Sequence, residues 1–161
     1  MEYIAIAAVL AGVVLWLRAN FLGLMLKEVK SPFGYDDTVV RLKESIAGKK
    51  GWHVFNVVDQ GAEITRNGGA PAGRITIIQY CHGGFASRMF QTDERKKISA
   101  FSPKAISVYE KSDGAVYISM MNGELMKLVA TGEMKEIVNE VSAEVKKIMS
   151  VLHRAPAAGR I

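Results

Sequence analysis

The sequence predicts an α+β fold, a mostly antiparallel sheet packed by helices, preceded by one N-terminal transmembrane helix. Three observations lead there. From Tyr3 to Leu17 the chain reads YIAIAAVLAGVVLWL, without a charge. Segments rich in β-branched and aromatic residues follow, with helical patterns at both ends and one tight hairpin, an order that favours helices laid on an antiparallel sheet. A long amphipathic stripe then closes the chain.

Composition supports that division. The 161 residues are 49% hydrophobic and 23% charged, with a net charge of +5 and one cysteine. A mean hydropathy of +0.11 is high for so charged a chain, so the apolar residues are unevenly placed. Glu2 and Arg18 are the charges before residue 27 and cancel, leaving the whole +5 to the remainder. One cysteine excludes a disulfide framework or a multi-thiolate zinc site within one chain. Fifteen glycines and four prolines exclude a collagenous or wholly disordered polypeptide.

Residues 1–26 form the expected anchor. As one helix, Tyr3 to Leu26 would be about 36 Å long, enough to cross a hydrocarbon core of about 30 Å with some tilt. Arg18 can snorkel from within the last third, and Trp16 suits an interface. A cleaved signal peptide would begin with basic residues, whereas this chain begins Met1-Glu2. A buried amphipathic helix would show polar residues at regular spacing, and none occur from Tyr3 to Leu17. Lys27, Lys30, Arg41 and Lys43 follow the span and nothing basic precedes it, so the positive-inside rule puts the following domain in the cytoplasm, at the cell membrane.

Residues 27–152 form the expected α+β domain. Met25 to Lys30 extends from the anchor into a first strand, and Ser31-Pro32-Phe33-Gly34 is turn chemistry. Asp36 and Asp37 offer a cap to a helix over Asp37 to Ala47, whose Val39, Leu42 and Ile46 share one face. Gly48 stops it. Trp52 to Val58 and Arg74 to Tyr80 read as strands, joined by a glycine-rich loop from Gln60 to Gly73. Phe85 to Phe90 reads as a short helix. Lys104 to Glu110 and Ala115 to Met121 form a hairpin through Ser112-Asp113-Gly114. Asn122-Gly123 opens a short helix through Val129. A final helix from Glu133 to Leu152 carries Met134, Ile137, Val138, Val141, Val145, Ile148, Met149 and Leu152 on one stripe. Residues 153–161 read as a tail, with His153 complementing the helix dipole.

At this point the residues resemble a known family. The segment Ile78 to Met126 looks like the core pattern of the domain of unknown function 302 family. In that pattern a strand ends in Cys-Asn-Pro, a short helix follows, and a proline precedes a "VYE" strand, a glycine turn and a strand leading into a helix. Here Cys81 stands at the cysteine, Ala86 and Met89 on the short helix, Pro103 at the proline, Val108-Tyr109-Glu110 on the strand and Asn122 at the next helix. Upstream, Pro32-Phe33 with Thr38 to Lys43 resembles the family's opening, and Gly51-Trp52-His53-Val54 its second strand. The resemblance implies a small α+β domain, commonly a homodimer and sometimes carried behind a membrane span, with no established activity. His82 and Gly83 replace the family's asparagine and proline, and Asn67-Gly68-Gly69 falls where a helix is often found.

Cys81-His82-Gly83-Gly84 is the expected ligand-binding site. Two glycines after a strand end let a ligand approach the backbone. Cys81 beside His82 offers a soft-metal or haem ligand pair, with His53 and Met121 as weaker candidates. Cys81 also offers a thiol for redox or sulfur-carrier chemistry. Against ligation, adjacent strand residues point to opposite faces, and a buried structural cysteine with an exposed His82 accounts for the same residues. Met120, Met121 and Met126 could join Cys81 on copper(I), though methionines also fill ordinary cores. Nucleotide-loop spacing, H-E-x-x-H and G-x-S-x-G are all lacking, so no catalytic residue is assigned and an enzyme is not the favoured reading. The basic residues are scattered, which argues for attraction to anionic lipid and against nucleic acid.

These expectations combine into a single-pass, membrane-anchored module that binds or senses a small ligand, metal or haem at Cys81-His82. Its partners would be the lipid bilayer and further subunits, as a homo-oligomer or within a membrane complex. A non-catalytic accessory subunit and a thiol redox or sulfur-carrier protein are the alternatives.

Overall fold

A computed structural model describes residues 2–153, the side chains of 2–5, 7 and 8 excepted. Helix α1 (Glu2–Met25) runs directly into strand β1 (Leu26–Lys30). Then come α2 (Tyr35–Ala47), β2 (Trp52–Asp59), α3 (Gln60–Arg66), β3 (Ile75–His82), α4 (Gly83–Met89) and α5 (Asp93–Lys96). A 3-10 turn over Lys97–Phe101 leads to β4 (Lys104–Glu110), β5 (Val116–Met121), α6 (Gly123–Val129) and α7 (Gly132–Met149). A second 3-10 turn, Ser150–His153, follows.

The five strands form one antiparallel sheet in the order β1-β5-β4-β3-β2. Alternation decides its faces. Ile78, Tyr80, Ile106, Val108, Val116 and Ile118 point to one side and are buried. Leu42 and Ile46 of α2 and Ile137, Val141 and Ile148 of α7 close over them in one cluster. Each fully buried Ile or Leu here contributes about 1.5–3 kcal/mol. Ser45 Oγ donates to the Ile148 carbonyl at 2.8 Å, tying the two covering helices together. The opposite face carries half-buried Ile75, Ile77, Tyr109 and Tyr117. On it the Tyr109 hydroxyl donates to Glu28, and Lys111 lies 3.6 Å over the Tyr117 ring.

Several local expectations change. The cap of α2 is Gly34, without a side-chain bond, while Asp36 and Asp37 sit inside the first turn. Asp36 instead meets Arg74 at 2.5 Å. The stretch from Gln60 is not all loop: Asp59 caps α3 by accepting from the Ala62 amide, and Asn67 ends it. Asn67-Gly68-Gly69 thus follows a helix and does not replace one. The last α-helix ends at Met149, before a 3-10 turn, and not at Leu152. Of the expected tail 153–161, only His153 lies within the described residues.

The N-terminal segment is helical, and its described apolar side chains, including Val9, Leu10, Leu15, Trp16, Phe21 and Leu22, are exposed. Among the described residues no helix is long and apolar enough to cross a membrane. Described side chains run unbroken only over 9–25, about 26 Å of helix against a core of about 30 Å. The structure therefore shows a helix with an uncovered apolar surface, and it does not show the expected transmembrane span.

Candidate functional site

The site lies where β3 ends, β4 begins and β5 ends, beneath α4 and beside α6 and α7. A cavity of about 70 Å³ opens there. Its wall is mostly apolar: Phe85 and Met89 from α4, Met126 from α6 and Val141 from α7 among others. Strand register supplies the floor. Trp52 pairs with His82 across β2 and β3, and Tyr80 pairs with Lys104 across β3 and β4, so these four side chains share the helix-covered face.

His82 has a structural post. Its Nδ1 accepts from the Phe85 amide at 3.2 Å, capping α4. That bond leaves the ring proton of the neutral tautomer on Nε2. Gly51 packs closely against Nε2: a Cβ there would fall 2.2 Å from it. Gly51 also has φ +81°, so the position requires glycine on both counts. A Cβ on Gly84 would meet His82 Cε1 at 3.2 Å. The expected glycine gap thus exists at Gly84 and Gly51, and its occupant is the imidazole of His82. Phe85 at 4.4 Å and Trp52 at 5.3 Å between ring centroids complete its packing. Gly83 is exposed and makes no such contact.

Cys81 also borders the cavity, from a position of opposite parity on β3. It pairs in register with His53 on the opposite face of the sheet, and its Sγ lies 3.9 Å from Ser102 Oγ. β3 continues through His82, so no turn swings the thiol toward the imidazole. Nδ1 of His82 is taken by the Phe85 amide and the parity of β3 sends the two side chains to opposite faces, which counts against the expected soft-metal or haem pairing with Cys81. Among the described residues no group of three or more His, Cys, Asp or Glu side chains gathers as a metal centre. His53 is exposed on the edge strand. A bulge between Val54 and Asn56 interrupts the expected alternation of His53, Phe55 and Val57, leaving Phe55 63% exposed. Met121 does line the cavity, beside Met126.

Two residues not singled out from the sequence matter more. Lys104 is half-buried and is, among the described residues, the only charged side chain on the wall. Burial alone holds its ammonium below its usual range. The indole Nε1 of Trp52 is buried without a hydrogen-bond partner among the described residues. Burial also raises the Tyr80 hydroxyl above its usual range, so it stays protonated. The signal for Lys104 was its parity with Ile106 and Val108 in KAISVYE, which turns a lysine inward.

Asn122 joins this corner to the end of α1. Its amide donates to the Met25 carbonyl at 2.9 Å, and its Nδ2 donates to the Leu24 carbonyl at 3.0 Å. Its Oδ1 accepts from the Glu124 amide and caps α6. One side chain therefore closes the end of α1 and starts the helix that walls the cavity.

Comparison with known proteins places residues 27–152 within the profile of a family described as Domain of unknown function DUF302. A structure described as an uncharacterized conserved protein DUF302 from Bacillus stearothermophilus superposes with a TM-score of 0.66 and 22% identity. The match covers 83% of this chain and 99% of that one. At that identity the likeness shows the fold. No curated protein matches.

Proposed function

The chain belongs to the DUF302 family, and from that premise we propose that it is a small-ligand-binding module held at a membrane by α1, with no chemistry of its own. One observation carries the reading: an apolar cavity at the strand ends has a buried, unpartnered indole donor on its wall. A buried polar group without a partner is uncommon in a folded protein, and an acceptor bound in the cavity is one way to satisfy it. The ligand site is the cavity above Trp52, Tyr80 and Lys104, which Cys81 and His82 also line. Soft-metal and haem binding finds no support in the arrangement of Cys81, His82, His53 and Met121.

The anchor is part of the same proposal. The charge-free run from Tyr3 to Leu17 and the exposed apolar side chains of α1 support it. Asn122 then places the cavity's α6 wall against the end of that helix.

The test is occupancy. Full-length protein in neutral detergent, carrying Trp16→Phe so that Trp52 is the sole indole, is titrated with butan-1-ol while the indole N–H resonance is followed. A saturable shift, abolished when Ala86→Leu fills the cavity, supports the reading. A resonance that does not move up to the solubility limit of the probe rejects it. Exposed Leu128 (81%) and Val129 (74%) on α6 favour a second reading, an accessory subunit with a protein partner there. Retention of stoichiometric partners, lost on Leu128→Asp, would favour that one.

A further inference from the structure

We infer that the cavity takes a small apolar anion, a monocarboxylate with a short hydrocarbon body, with Lys104 as its charge partner and the Trp52 indole as a hydrogen-bond donor. The inference rests on the ligand-binding reading above and narrows it to one chemical class.

The charge pattern of the wall selects the sign. Among the described residues Lys104 is its only charged one, and no Asp or Glu lines the cavity. The acid next along the chain from Gly123 on the wall is Glu124, and it is already engaged by Lys127 and Lys146 at 3.1 and 3.2 Å. Burial is the sole cause lowering the Lys104 ammonium, and no carboxylate offsets it. An ammonium partly stripped of water and left without a counter-charge is satisfied best by an incoming anion.

The donors select the head group. Trp52 is 6% exposed and its Nε1 lacks an acceptor. Tyr80 keeps its hydroxyl proton because burial disfavours the phenolate. His82 does not compete for an anion as a donor at Nδ1, because that atom is accepting from Phe85. Indole accepts no hydrogen bond, so a cationic or donor-only ligand would leave Trp52 unsatisfied.

The remaining wall selects the body. Phe85, Met89, Met121, Met126 and Val141 present carbon and thioether surface. The cavity of about 70 Å³ is roughly half the size of one that admits benzene, about 150 Å³. A chain of a few carbons is the matching scale. Methionines on two sides adapt to such a tail without a rigid shape.

Butanoate, butan-1-ol and butylamine share one tail and differ in head group, so they separate the claims. In the full-length Trp16→Phe protein, butanoate is expected to shift the Trp52 N–H resonance saturably, with an apparent Kd at least tenfold below that of butan-1-ol. Butylamine should give no saturable shift. Lys104→Met should bring butanoate down to the butan-1-ol level while leaving butan-1-ol binding in place. Should that variant fail to fold, Lys104→Gln is held to the same outcome. Equal affinity for the acid and the alcohol, binding of the amine, or a butanoate preference that survives loss of Lys104 overturns the anion assignment while sparing the ligand-binding reading. Absence of binding by acid and alcohol alike overturns both.

Discussion

Individual residues at the strand end are set by what presses on them. Gly51 is required because the His82 imidazole occupies the space where a Cβ would be, and because its backbone is left-handed. Gly51→Ala should therefore cost more than the roughly 1–2 kcal/mol of the conformation alone. His82→Ala should cost about 1 kcal/mol through the lost cap. Because His82→Ala also removes the clash, the double variant should be more stable than the sum of the single losses. A urea-denaturation cycle checks this, and strict additivity would show that ring and glycine do not press on one another. Lys104 yields a pH prediction. Its folded pKa lies below the ordinary 10.5, so the unfolded chain binds more protons between the two values and wild-type stability rises with pH across that window. Lys104→Met should raise Tm near neutrality, and this advantage should shrink as pH approaches 10.5. Thermal melts of both proteins at pH 7 and 10 supply the comparison. An advantage that grows with pH would contradict the sign.

At the scale of elements, the decisive feature is the junction of α1, β5 and α6. A helix leaves its last carbonyls unsatisfied, and Asn122 answers those of Leu24 and Met25 while capping α6. Asn122→Ala should destabilise this corner by about 1–2 kcal/mol. Hydrogen exchange should accelerate in α6, whereas the central strands β3 and β4 stay protected. Uniform acceleration would mean that the junction is part of the global unfolding unit. Much at this scale was legible in the sequence. The strands over Lys104 to Glu110 and up to Met121 follow from alternation and the Ser112-Asp113-Gly114 turn. The helix Gly123–Val129 follows from the asparagine before it. Less legible was α3, because its glycines suggest a loop, while Asp59 and Asn67 close its ends through contacts that spacing does not reveal. The short helices over 93–101 lack a periodic apolar face long enough to read.

The whole molecule is a sheet covered on one face by α2 and α7, with β4 at its centre. Ile106 on β4 is fully buried within that cluster. Ile106→Ala should cost about 2–5 kcal/mol, and the cavity it leaves should lower the midpoint of one cooperative transition without changing its slope. Chemical denaturation followed by Trp52 emission and by far-ultraviolet circular dichroism measures this. A loss under 1 kcal/mol would show that the core closes around the missing atoms. The sequence by itself determined the α+β class, the apolar N-terminal helix and most strands, because these follow from local periodicity and from residues adjacent in the chain. It also directed attention to Cys81 and His82. Only the tertiary structure decided that β3 continues through His82, so that no turn brings the two side chains together, and that the Phe85 amide takes the imidazole Nδ1. It likewise brought Lys104 and Trp52 to one cavity. The physical reason is that neighbours on a strand diverge, whereas residues from separate strands converge through register. A site built across β2, β3 and β4 is therefore specified by pairing, which no short stretch of sequence displays.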